Sequence, residues 1–201
     1  MKKHVIALGR QFGSGGREIG RKLSESLGFA YYDRELLKLA AERAEVGEEL
    51  FADKDEKAGN PWLFKAFYQG GPKVKQGQSA EDVLFQMQSE IIRELAEKED
   101  CIIVGRCADY ILEDRDDVLN VFVHAGKDYR AKRIVLLYGE TDKPPAKRLA
   151  EKDKKRALNY RHYTGREWGN VHNYDLSLDS GRLTPEGCVE IITRVVQEKN
   201  K

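Results

Sequence analysis

Along this 201-residue chain the apolar positions fall into two alternating patterns. Short continuous apolar runs at 3–8, 29–32, 101–104 and 118–123 read as strands buried on both faces, and 174–178 reads as a fifth. Between the runs, apolar residues recur at helical spacing. Ile19, Leu23 and Leu27 line a stripe over 17–27, and Leu36, Leu37, Leu39, Ala40 and Ala44 line a second. Leu84, Met87, Ile91 and Leu95 mark a long helix over 80–97, with Ser79 as its cap. Shorter helices are expected at 108–112 and 127–138, and a charge-dense one at 146–160 behind Pro144-Pro145. Thr184 and Pro185 open a final helix whose stripe is Cys188, Val189, Ile192, Val195 and Val196. Strands alternating with helices predict an α/β chain with a five-stranded parallel sheet covered on both faces.

The first strand runs into Gly9-Arg10-Gln11-Phe12-Gly13-Ser14-Gly15-Gly16-Arg17-Glu18, and the first helix follows. Strand, glycine-rich turn, helix is an arrangement that wraps a phosphate. Glycines let backbone N–H groups turn inward, and the helix N-terminus adds the positive end of its dipole. Arg17 puts a full charge at the mouth. With Gly16 as the closing glycine of the pattern G-x-x-x-x-G-K-[ST], Gln11 replaces the first glycine, Arg17 the lysine and Glu18 the hydroxyl residue. A tight structural turn has the same composition, so the stretch alone leaves both readings open.

Two further strands end in arginine. Asp33-Arg34 follows the second and Gly105-Arg106 the third, at the carboxyl edge where ligands bind in open α/β sheets. Asp33 is equally a natural helix cap. A charge directly after a buried strand is costly without an anionic partner. Arg130 and Arg133 share a helix face, with solvation as the ordinary alternative. Asp153, Arg156 and Tyr160 share another, on a basic helix followed by Tyr163-Thr164-Gly165-Arg166, which suits a lid closing on phosphates. So many arginines suit two phosphate-bearing ligands facing each other, the geometry of phosphoryl transfer.

Between 48 and 79 the periodicity weakens, and Trp62, Phe64, Phe67 and Tyr68 alternate with glycines and prolines. Such a segment reads as a flap or small substrate-side insertion. Net charge is only +1, which argues against nucleic acid as a partner. No apolar run is long enough for a bilayer, and no signal core precedes the first strand, so a cytoplasmic protein without membrane contact is expected. Cys101, Cys107 and Cys188 are too few and too scattered for a disulfide framework. The four histidines show no zinc-type pairing, and no metal site is assigned.

Together these pieces resemble the cytidylate kinase-like proteins, a branch of the P-loop nucleoside monophosphate kinases. The resemblance rests on Arg10 to Gly20, on Tyr31-Tyr32-Asp33-Arg34-Glu35-Leu36-Leu37 and on Ile103-Val104-Gly105-Arg106-Cys107-Ala108-Asp109. Tyr163-Thr164-Gly165 and Tyr174-Asp175-Leu176 complete it. It implies a single domain with the three-layer α/β/α P-loop kinase fold, an inserted monophosphate-binding segment at 48–79 and a helical lid at 140–172. It implies ATP and Mg2+, with transfer to a nucleoside monophosphate such as CMP or dCMP. Gly13, Ser14, Gly15, Gly16, Arg17 and Glu18 would hold the ATP phosphates. Asp33, Arg34 and Arg106 would hold the acceptor. Arg17, Asp153 and Arg156 would act at the transferring group, with Arg130, Arg133 and Tyr160 as further lid residues. The Arg17-Glu18-Ile19 departure keeps two alternatives open: a P-loop kinase for another small metabolite, and an inactive nucleotide-binding regulator. The oligomeric state is not readable.

Overall fold

The structure, a computed structural model, describes residues 4–33, 36, 39 and 80–198. Five strands, β1 (Val5–Arg10), β2 (Ala30–Tyr32), β3 (Cys101–Val104), β4 (Val118–His124) and β5 (Leu176–Asp179), form one parallel sheet in the order β2-β3-β1-β4-β5. The described helices are α1 (Gly16–Leu27), α2 (Ala80–Lys98), α3 (Ala108–Ile111), α4 (Lys127–Tyr138), α5 (Pro145–Thr164) and α6 (Ser180–Glu198).

The central strand explains the two layers of core. In β1, Ile6 and Leu8 face α1 and α6, packing with Ile19, Leu23, Cys188, Ile192 and Val196. Val5 and Ala7 point the other way, toward Ile91, Ile92 and Ala96 of α2, Ala108 and Ile111 of α3, and Tyr160 of α5. Neighbouring residues on one strand thus feed opposite cores, which is why these runs are continuously apolar. Each such side chain contributes about 1.5–3 kcal/mol by leaving water. The three cysteines are buried free thiols within these cores. Among the described helices none is long and apolar enough to cross a membrane.

Three boundaries differ from the sequence expectation. The fifth strand begins at Leu176, not Tyr174. The Tyr174 amide donates to Val171 O at 3.2 Å, and the Asp175 carboxylate takes the Asn120 N–H at 2.8 Å, where a strand carbonyl would otherwise sit. The charge-dense helix runs on past Tyr160 to Thr164, where Gly165 closes it in the left-handed region. The last helix begins at Ser180. Its first turn ends at Thr184, whose φ of 62° and ψ of 158° break the helix ahead of Pro185. Thr184 Oγ1 then accepts the Gly187 N–H at 3.2 Å and caps the longer second part.

Candidate functional site

Between β1 and α1 the chain closes a loop fastened from within. Gln11 N–H donates to Val123 O at 3.0 Å, and Gln11 Oε1 accepts from Ala125 N–H at 3.3 Å. Ser14 is fully buried, and its hydroxyl bonds inward to Gln11 O at 2.9 Å and Val123 O at 3.0 Å. From α6, Ser180 Oγ donates to Ser14 O at 2.5 Å. Gly13 and Gly15 adopt φ of 78° and 83°, a region that strains any residue with a Cβ. Gly15 is the N-cap of α1, and no side chain caps that helix. Its first-turn N–H groups have no intrahelical acceptors, which makes this end a ready anion site.

Beside the loop lies a cluster of arginines. Asp33, buried at the end of β2, meets Arg10 Nη2 at 3.3 Å and Arg17 Nε at 2.5 Å. From α5, Arg156 donates Nη1 to Arg10 O at 3.1 Å, and its guanidinium lies 5.7 Å from the centre of the Phe12 ring. Arg106 follows β3 with φ of 61°, between Gly105 at 74° and Cys107 at 56°. Three successive left-handed residues turn the chain sharply at the strand's carboxyl end. Two of them are non-glycine, a conformation that costs roughly 1–2 kcal/mol each and is found mostly at functional sites.

Several positive charges converge on this cluster. The Arg10 pKa is lowered to about 9, first by burial and then by Arg156, while Asp33 works in the opposite direction and Arg106 and Arg17 lower it further. Arginine keeps its proton at neutral pH. An anion placed beside it would offset the repulsion from the neighbouring arginines. Arg10 Nε is buried without a hydrogen-bond partner.

A second set of contacts stiffens the loop from the outside. Asp153 Oδ1 accepts the Phe12 N–H at 2.8 Å, and Oδ2 meets Arg130 Nη1 at 2.5 Å. Arg130 is buried and also donates to Phe12 O at 3.2 Å and Ala125 O at 2.9 Å. Glu18 is ion-paired with Arg133 and, at 3.3 Å, with Lys22. Tyr160 is buried and donates its hydroxyl to Asp109 Oδ2 at 2.6 Å, joining α5 to α3. Burial raises the pKa of both groups, and their mutual bond lowers that of Asp109 while raising that of Tyr160 further.

Of the candidates from the sequence, Gly13 to Glu18, Asp33, Arg106 and Arg156 gather at the carboxyl ends of β1, β2 and β3. Asp153, Arg130 and Arg133 lie along the outside of the loop and α1. Tyr160 is set apart in the α3–α5 contact. Arg34 and the segment 48–79 lie outside the described residues. Arg10, Gln11 and Gly105, present in the sequence motifs, were not among the candidate site residues. For Arg10 the signal was present: a charge closing a buried strand, the same feature that drew attention to Arg106.

Magnesium does not fit the acidic side chains at this site. Glu18 is held by Arg133 and Lys22, Asp33 by Arg10 and Arg17, and Asp153 by Arg130 and the Phe12 amide. Among the described residues no group of three or more His, Cys, Asp or Glu is disposed to hold a metal ion.

A parallel sheet in the order β2-β3-β1-β4-β5, with a glycine-rich loop from its central strand to a helix N-terminus, defines a P-loop α/β protein. Residues 5–182 match the model of the cytidylate kinase-like family, and the chain belongs to that family and so to the phosphotransferases. It is 23% identical over 194 residues to a cytidylate kinase of Pyrococcus furiosus, covering 96% of this chain and 88% of that one. Among solved structures it is similar to an uncharacterised protein of Eubacterium ventriosum, with a TM-score of 0.72, 26% identity and coverage of 97% and 99%. The shikimate kinase of Acinetobacter baumannii, at 13% identity, shares the fold with a TM-score of 0.54 over 98% of this chain and 94% of that one.

Proposed function

We propose that the chain transfers a phosphoryl group from ATP to a nucleoside monophosphate, with CMP or dCMP as the acceptor. The observation that carries this reading is the arginine cluster. Arg17, Arg106 and Arg156 all lie near enough to Arg10 to act on its charge, and Asp33 pairs with Arg10 and Arg17. Guanidinium groups gathered in this number suit two phosphate-bearing substrates, and phosphoryl transfer draws its catalysis mainly from such positioning and charge stabilisation.

In this reading the loop and the α1 N-terminus hold the donor phosphates. Arg106, turned by its left-handed backbone, takes the acceptor phosphate together with Arg34. Arg156 reaches the transferring group from a lid spanning 140–172. Asp153 acts by holding the loop and Arg130 in place. Tyr160 anchors the lid helix through Asp109. The segment 48–79 would cover the acceptor within a single domain. Mg2+ would arrive bound to ATP, since the carboxylates of this site are already ion-paired. Free thiols at all three cysteines accord with a cytoplasmic setting. The cytidylate kinase relative supports CMP.

The test is ADP production from ATP and Mg2+ against a panel of nucleoside monophosphates and shikimate-like hydroxyl acceptors, with Arg106→Ala alongside. Turnover selective for CMP or dCMP and lost in Arg106→Ala supports the reading. Turnover with a non-nucleotide acceptor replaces the acceptor. ATP binding without turnover on any acceptor points to a regulatory nucleotide binder.

A further inference from the structure

We propose that Arg10, carried on the last residue of β1, is the cation that grips the nucleotide phosphates, so that this chain runs its P-loop with lysine and glycine exchanged. The inference rests on the kinase reading above and assigns within it the residue that holds the donor.

The loop's closing glycine is the one whose backbone is left-handed at the start of the helix. That is Gly15, with φ of 83°, and Gly16 is already the first residue of α1. In the pattern G-x-x-x-x-G-K-[ST], Gly15 then takes the sixth place, Gly16 the place of the lysine, and Arg10 the place of the first glycine. The pattern's charged and unbranched positions have changed places.

Geometry explains the exchange. Gly16 has no need of glycine for its backbone, because its φ is not positive. It needs glycine for space: a Cβ there would stand 2.6 Å from Arg10 Cβ and 2.8 Å from Arg10 Cγ. The stem of Arg10 occupies the volume from which a lysine at 16 would emerge. Further out, a Cβ on Gly105 would fall on Arg10 Nη1. Two glycines, one on each side, thus form the channel along which Arg10 runs from β1 toward the carboxyl end of β3.

The end of that channel is suited to a phosphate. The Arg10 guanidinium shares Asp33 with Arg17, stands among Arg17, Arg106 and Arg156, and keeps a buried Nε without a partner. Lysine would serve poorly here, since nearby positive charges and burial would drive off its proton. Arginine stays charged and can bridge two phosphate oxygens. Arg17 is the more exposed of the two, with 35% of its side chain accessible against 13% for Arg10.

The experiment is an exchange of the two positions, read by calorimetric titration with ATP and with ADP. Arg10→Gly is expected to weaken ATP binding by ~10-fold or more, the scale of a charge-assisted contact. Gly16→Lys is expected to weaken it similarly by colliding with Arg10. The double variant Arg10→Gly/Gly16→Lys restores the usual order and is expected to bind at least ~10-fold more tightly than either single variant. Arg10→Lys, folded by circular dichroism, is expected to bind more weakly than wild type. A double variant no better than the weaker single one overturns the proposal, as does wild-type affinity in folded Arg10→Gly or Arg10→Lys. Wild-type protein that takes up no ATP overturns the donor reading together with this one. Wild-type protein that binds ATP while the Arg10 variants bind equally well overturns this inference alone.

Discussion

The Asp33 carboxylate is divided between two arginines, with Oδ1 3.3 Å from Arg10 Nη2 and Oδ2 2.5 Å from Arg17 Nε. It moderates the repulsion between these two guanidinium groups. Asp33→Asn keeps the shape and removes the charge. It should lower stability by about 1–3 kcal/mol in dilute buffer, since it leaves partly buried guanidinium groups poorly compensated. Pyrophosphate should stabilise this variant more than it stabilises the wild type. Thermal unfolding with and without pyrophosphate, at low and high salt, checks both expectations.

Gly105 lies against the tip of a flexible side chain, and its φ is 74°. Gly105→Ala should cost about 1–2 kcal/mol of stability from the left-handed backbone. It should cost far more in function, because Arg10 must move aside. A fall in ATP affinity of ~10-fold or more, in a protein that still unfolds cooperatively, is the expected pair of results. Calorimetric titration and urea unfolding measure them separately.

Asp153 serves the loop from α5 by receiving the Phe12 amide and the Arg130 guanidinium. Asp153→Ala should destabilise by about 3 kcal/mol, because Arg130 is buried and would lose its carboxylate. Asp153→Asn retains an acceptor for the amide and should cost less. Urea unfolding of the two variants gives the order, and ATP turnover should fall in the same order as the loop loosens.

Tyr160 predicts an alkaline limit. Burial, followed by the Asp109 carboxylate, holds its hydroxyl pKa above the ordinary value. In the unfolded chain a tyrosine ionises near pH 10, while in the folded chain this one stays protonated. Its contribution is therefore complete below pH ~10 and is lost as pH rises beyond it. Each such group adds a slope of ~1.4 kcal/mol per pH unit in that window. Tyr160→Phe should flatten the decline in unfolding free energy between pH 10 and 11 by about that amount. Tyr174, raised mainly by its own burial, should sustain part of the decline that remains. Urea titrations at successive pH values read the slopes.

The parts of this molecule that were plain in the sequence are those with a local cause. Val5 to Leu8 and Cys101 to Val104 had to be buried strands because they are apolar without interruption. Leu27 ended the apolar stripe of α1, and Gly28 closes that helix in the left-handed region. Arg106 stood out because a charge follows a buried strand, and Arg17 because it follows a glycine-rich turn at a helix start. What escaped depends on distance along the chain. Asp153 and the Phe12 amide are 141 residues apart, and helix spacing alone could not say which partner that face meets. Tyr160 shared the face of Asp153 and Arg156, yet its bond is to Asp109 on a different helix. The start of the last helix was concealed by Thr184 and Pro185, whose cap signal is real but belongs to its second part. The path of Arg10 depends on what Gly16 and Gly105 lack, and an absent side chain carries meaning only once its neighbours are known.

The hydroxyl of Ser180 completes a structure that begins 166 residues earlier. It donates to Ser14 O at 2.5 Å and to His124 O at 3.2 Å. During synthesis the loop leaves the ribosome well before its fastening, which lies 166 residues further along the chain. Closing contacts so distant along the chain is slow compared with forming the helices between them. A nascent chain stopped before residue 180 would carry every loop residue and still lack this clasp. Nucleotide uptake should then appear late and abruptly as the chain lengthens, as the final helix docks.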